Sequence, residues 1–194
     1  MLVRDRMTPN PITIGPDTAL PDAQRIMRER KVRRLPVLDA SGKLVGIVSE
    51  NDLRHATPSP ATTLDVWEIN SLVAKIKVSQ IMTRNVITVN EDTPLEEAAR
   101  LMADHRVSGL PVMHGERVTG LITETDIFRA FLELMGARRP GVRVTASVSN
   151  AKGTLAKIAT AVSTAGGDII GFGFQEIKGP DGLQWEMVLK VQDI

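Results

Sequence analysis

Two hydroxyl–carboxylate pairs share one spacing in this chain: Ser49 with Asp52 in "GIVSEND", and Thr123 with Asp126 in "GLITETD". Each pair closes a Gly-aliphatic run that reads as a buried strand, and each opens a stretch with helical spacing. A hydroxyl followed three residues later by a carboxylate can do two things. As a capping box it satisfies free N–H groups at a helix start, for about 1 kcal/mol. As a binding site it offers a ligand the hydroxyl, the carboxylate and the positive end of the helix dipole. The spacing leaves both open. Other chemistry is poorly supplied. The chain has no cysteine, which removes thiol nucleophiles, redox pairs and Cys-based zinc sites. His55, His105 and His114 lack the spacing and acidic companions of a metal site, and no G-x-S-x-G, H-E-x-x-H or Walker sequence occurs. The expectation is a binding protein and not an enzyme, with no metal and no required cofactor.

The elements that must position these pairs come from a duplication. A shift of 75 (82 minus 7) lays "MTPNPITIGPDTALPDAQRIMRERKVRRLPV" on "MTRNVITVNEDTPLEEAARLMADHRVSGLPV" without a gap. Met7, Thr8, Asn10, Thr13, Leu35, Pro36 and Val37 are among the identities; after one deletion near Gly115 the shift becomes 74, and Gly46, Glu50, Asp52 and Ala56 match again. Two copies of one unit imply a pseudo-two-fold pair. Within each copy "ITI" or "ITV" reads as a short strand, followed by a helix with apolar residues three and four apart; in copy two Thr93 stands as its cap and Pro94 as its first residue. "RLPVLD" with "LVGIVS", and "GLPVMH" with "RVTGLIT", then read as paired strands before a second helix. Each copy is therefore β-α-β-β-α.

Copy one is placed at 1–57 and copy two at 78–136, with a linker at 58–77 whose Pro, Ser and Thr cluster marks an exposed loop and whose later part, through Trp67 and Leu72, has helical spacing. After the Gly- and Pro-bearing "MGARRPGV" a different unit fills 141–194, reading β-α-β-β. The fold class is α/β (α+β): a pair of β-α-β-β-α units followed by a partial ferredoxin-like unit. With 24 basic against 23 acidic residues and a net charge of +1, no long-range field attracts a polyanion, so nucleic acid is not an expected partner. No apolar run approaches the roughly 20 residues that cross a bilayer, so no membrane partner is expected, and the absence of cysteine makes the cytoplasm the expected home.

Both copies resemble CBS domains, which occur as tandem pairs called Bateman modules. The resemblance covers residues 1–136 and rests on "IMT", "ITV", "LPV" and the closing G-h-h-[ST]-x-x-D. The last unit resembles an ACT domain, an amino-acid-sensing fold, through "NAKGTLAKIA" and "GGDIIGF", without that fold's final helix and strand. The order of parts resembles that of the bacterial acetoin-utilization regulatory proteins. The resemblance implies a regulatory sensor with an adenine nucleotide as ligand: Asp52 and Asp126 on ribose, Ser49 and Thr123 near phosphate, and adenine in a slot formed by the strands at Thr13 and Thr88 and the loops before Pro36 and Pro111. It also implies that Arg33 and Arg34 meet phosphate in the Asp126 cleft, while Ser108 and Gly109 face the Asp52 cleft, which would make the clefts unequal. Asn150 and Gly153 occupy the loop where ACT domains take an amino acid, and equally read as a helix cap and a permissive first turn. A homodimer and an unidentified target protein complete the expected partners. The competing readings are the regulatory piece of a larger enzyme and a dimerisation module with empty clefts.

Overall fold

In the computed structural model, which describes residues 1–57, 65–149, 151–179 and 182–193, the proline-interrupted start of the chain forms a 3-10 turn at Val3–Asp5 and a short strand, β1 (Thr8–Pro9). Helix α1 (Leu20–Arg30) buries Leu20, Ala23 and Met27, spaced three and four apart, and stops where Lys31 enters the left-handed region at φ 54°. Strands β2 (Arg34–Leu38) and β3 (Leu44–Ser49) pair antiparallel and bury Leu35, Val37 and Val48 against α1. Helix α2 (Glu50–His55) follows directly, and the linker contributes α3 (Val66–Lys75).

Copy two repeats the pattern. It runs through α4 (Val78–Ile81), β4 (Val89–Asn90), α5 (Leu95–His105), β5 (Gly109–His114), β6 (Arg117–Thr123) and α6 (Glu124–Leu134). Helix α5 ends as α1 does, with Arg106 at φ 55°. The first strand expected at "ITI" shrinks to a bridge between Ile14 and Val37, and its counterpart in copy two is β4, parallel to β5.

The lead-in segments are exchanged between the copies. β1 pairs with β6 of copy two, and Thr83, the repeat counterpart of Thr8, bridges to Ile47 in β3 of copy one. Main-chain bonds repeat the exchange: Leu95 N donates to Met1 O at 3.1 Å, and Leu20 N donates to Ile76 O at 2.9 Å. This explains a departure at Thr93. The helix begins at Leu95, one residue later than expected, because Met1 satisfies an N–H that a cap would otherwise take, and the Thr93 hydroxyl accepts from Asn90 N instead. Two glycines make room for the exchange. A Cβ at Gly46 would collide with the Met82 thioether and one at Gly120 with that of Met7, so each lead-in methionine lies flat on the middle of the other copy's sheet.

The chain divides into two compact units, Met1–Ile127 and Phe128–Ile194. The second contains β7 (Val142–Ser149), α7 (Thr154–Thr164), β8 (Asp168–Gly179) and β9 (Gly182–Gln192). Its sheet is antiparallel in the order β7-β9-β8, and Met187, Leu189 and Val191 are buried with Ile158 and Val162 of α7 packed on them. Among the described residues no helix is long and apolar enough to cross a membrane.

Candidate functional site

Ser49 and Asp52 form the capping box that their spacing allows. Ser49 closes β3 with extended φ/ψ of −108° and 162°, and its hydroxyl accepts from Asp52 N at 3.2 Å. In return Asp52 Oδ2 accepts from Ser49 N and Ser49 Oγ, both at 2.7 Å. The cap occupies only that oxygen; among the described residues no protein donor reaches Asp52 Oδ1. Copy two repeats the geometry, with Asp126 Oδ2 accepting from Thr123 N at 3.0 Å and Thr123 Oγ1 at 2.6 Å. The box therefore fixes the carboxylate through one oxygen and leaves the other without a protein donor in copy one, among the described residues.

Asp52 lines a cleft of about 230 Å³. Copy one supplies Ile47, Ser49 and Asp52; the opposite walls come from copy two, as the lead-in residues Thr83, Asn85, Val86 and Ile87 and the segment from Arg106 to Leu110. Apolar Ile47, Val86 and Ile87 suit a flat heterocycle. Asp52 suits vicinal hydroxyls, and the guanidinium groups of Arg34 and Arg106 suit phosphate oxygens. Sequence reasoning placed the "ITV" strand, which opens at Ile87, in the slot, but missed Thr83, Asn85, Val86 and Arg106. The signal was there, since Thr8 and Asn10 recur as Thr83 and Asn85, but nothing in the linear repeat says that a lead-in serves the other copy.

Arg34 lies elsewhere than expected. It lines the Asp52 cleft together with Ser108 and Gly109, and its guanidinium donates to Ser108 Oγ. The reason is Gly109, the repeat counterpart of Arg34: a Cβ there would stand 3.1 Å from Arg34 Cδ and Nε, so the missing side chain lets Arg34 lie across it. Burial pulls the Arg34 guanidinium below its ordinary pKa, the neighbouring Arg33 adds to this, and Glu124 opposes it. Arg33 points toward copy two's helix, with Nη2 3.4 Å from Thr125 Oγ1, next to Asp126. The two arginines thus separate, Arg34 to the Asp52 cleft and Arg33 to the Asp126 side.

The remaining expected residues disperse. Thr88 lines a neighbouring groove with Lys43, Arg84 and Met113, and Thr13 another with Asn10, Lys43 and Arg117. Pro36 and Pro111 are buried within β2 and β5, where they pair with Ile47 and Leu121 and shape the sheets without lining the Asp52 cleft. Asn150 lies outside the described residues. Gly153 precedes α7 at φ 84° with open space around it, a backbone conformation that suits glycine. Among the described residues no cluster of three His, Cys, Asp or Glu side chains could hold a metal ion.

The CBS-domain family model matches residues 3–59 and 78–133. Three solved structures show what this architecture resembles. The CBS domain pair of protein MJ0100, in complex with 5′-methylthioadenosine and S-adenosyl-L-methionine, is 34% identical with a TM-score of 0.58, the match covering 72% of this chain and 98% of that one. CBSX2 in complex with AMP is 33% identical with a TM-score of 0.55, over 71% and 98%. An acetoin utilization protein (AcuB) from Vibrio cholerae is 32% identical with a TM-score of 0.57, over 72% and 98%.

Proposed function

The chain belongs to the CBS-domain family, and on that premise we propose that it is a regulatory sensor whose Asp52 cleft takes an adenine nucleotide. The observation that carries this is one cleft lined by Asp52, whose Oδ1 meets no protein donor among the described residues, together with Arg34 and Arg106. Two guanidinium groups opposite a ribose-binding carboxylate favour a phosphate-bearing adenosine over the sulfonium of S-adenosylmethionine, which brings positive charge to a cationic wall. Thr123 and Asp126 form a second site of the same design, with Arg33 as its phosphate contact. Ser108, held by Arg34, sits where it exchanges that bond for a phosphate oxygen.

Occupancy is transmitted through self-association or to a target protein, in the cytoplasm, and the chain acts without catalysis of its own. The division into copy one at 1–57, linker at 58–77, copy two at 78–136 and an ACT-like unit at 141–194 belongs to the same reading. The β-α-β-β order and the β7-β9-β8 sheet support the ACT-like assignment, and the likeness to AcuB supports a role in acetoin utilization. Phe128, Phe131 and Leu134 recur along α6 and are more than half exposed, which supports a homodimer covering apolar helix surface.

Calorimetric titration of AMP and adenosine tests the site. Asp52→Ala should weaken AMP by about 1.5 kcal/mol or more, the scale of a lost charge-assisted bond, with circular dichroism unchanged. Full-strength AMP binding by the folded variant would remove Asp52 from the site. Light scattering at micromolar concentration should return twice the chain mass, and a monomer mass would count against the homodimer.

A further inference from the structure

Copy one carries a second cavity, distinct in its chemistry from both capping boxes. A groove of about 600 Å³ lies between α1 and α2, with buried Met27 and Leu53 on its floor and a 3.4 Å hydrogen bond from Gln24 Nε2 to Thr57 Oγ1 joining the two helices. Its rim holds four cations, Arg28, Lys31, Arg33 and Arg54, against one carboxylate, Glu50. None of the four forms an ion pair among the described residues; Arg33 and Arg54 have only the neutral partners Thr125 and Asn51. The helix can pair its arginines where it needs to: Arg25, on α1, bridges Asp22 and Glu29.

Cations at a helix C-terminus complement its carbonyls, and Arg28 and Lys31 stand at that end of α1. Copy two shows how much of this the fold requires. Helix α5 ends in the same left-handed cap, with the Arg106 N–H on Ala103 O and Met102 O, yet the repeat positions of Arg28, Arg33 and Arg54 are Ala103, Ser108 and Phe128. Arg28 and Arg54 are therefore surplus to the shared architecture and line this one cavity, while Arg33, which also lines it, turns its guanidinium end to Thr125 on the Asp126 side.

We propose that this groove is an anion site for a small molecule bearing several phosphate groups, separate from the adenine-nucleotide clefts. The volume lies within the range of small-ligand pockets, roughly 300–1,000 Å³. Uncompensated guanidinium and ammonium groups around an apolar floor suit a phosphate chain with an organic portion beneath it.

The test uses the full chain with ¹³C-methyl methionine and tripolyphosphate as probe, with and without saturating AMP. Met27 reports the groove and Met113, in a different cavity, serves as control. Tripolyphosphate should shift the Met27 methyl signal at low salt whether or not AMP is present, leave Met113 in place, and lose effect as salt rises. Arg28→Ala with Arg54→Ala should weaken that response about tenfold, an effect of roughly 1.4 kcal/mol, with circular dichroism unchanged. An unmoved Met27 signal at saturating probe would overturn the proposal, as would an equal response in the folded double variant. Tighter binding of hexaglutamate than of tripolyphosphate would assign the groove to an acidic peptide and overturn the phosphate class.

Discussion

At the scale of single residues, one carboxylate holds two jobs because its oxygens are divided. Asp52 Oδ2 caps α2, while Oδ1 meets no protein donor among the described residues and Asp52 lines the cleft, so structure and binding should respond differently to different changes. Ser49→Ala removes a cap acceptor and should cost about 1 kcal/mol of stability, read as a lowered denaturant midpoint. Asp52→Asn keeps an oxygen for Ser49 and should keep most of that stability, yet lose AMP affinity because the charge is gone. Unchanged AMP affinity in Asp52→Asn would show that the charge serves the cap alone. Arg34 and Gly109 make a second coupled pair. Gly109→Ala places a methyl 3.1 Å from the Arg34 chain and 3.3 Å from Ile122 O, so it should push the guanidinium out of the cleft and weaken AMP more than adenosine. In an Arg34→Ala background the same change should have almost no effect on affinity, because contacting residues couple in a double-mutant cycle. Additive losses would mean that Gly109 acts through the backbone.

At the scale of elements, the repeat and the capping boxes were legible because hydrophobic period and cap chemistry are local. Leu20, Ala23 and Met27 declare α1, and Ser49-x-x-Asp52 declares the start of α2. The partner of each lead-in was not legible. Met7, Thr8 and Asn10 look the same whether they serve their own copy or the other, and only the register of Thr8 on Leu121 decides it. The placement of Arg34 was lost for the same reason, since its position follows from what Gly109 lacks across the pair. The exchange has a measurable signature. Met82→Ala removes a side chain that is 8% exposed and packed on Gly46, so it should cost about 2–5 kcal/mol and lower amide-exchange protection first in β3, which belongs to copy one. Met7→Ala should do the same in β6 of copy two. Protection lost in each methionine's own copy instead would contradict the exchange.

At the scale of the molecule, neither copy of the pair is complete by itself. Copy one needs α4 and Thr83, and copy two needs β1 and Met1. A chain ending after the first copy, residues 1–64, should therefore form no folded monomer. It should be unfolded, or associate by donating its own lead-in to a second molecule, and a folded monomer by light scattering and circular dichroism would contradict this. Arg34 over Gly109 then has a meaning for how such a pair can change. Where two identical chains meet on a two-fold axis, each residue near the axis meets its own twin, so an arginine there confronts an arginine and a glycine leaves a gap. Covalent linkage lifts that constraint. Because both halves are written out separately in one chain, position 34 can carry the cation while position 109 carries the space to receive it, an arrangement that no association of identical single copies could encode.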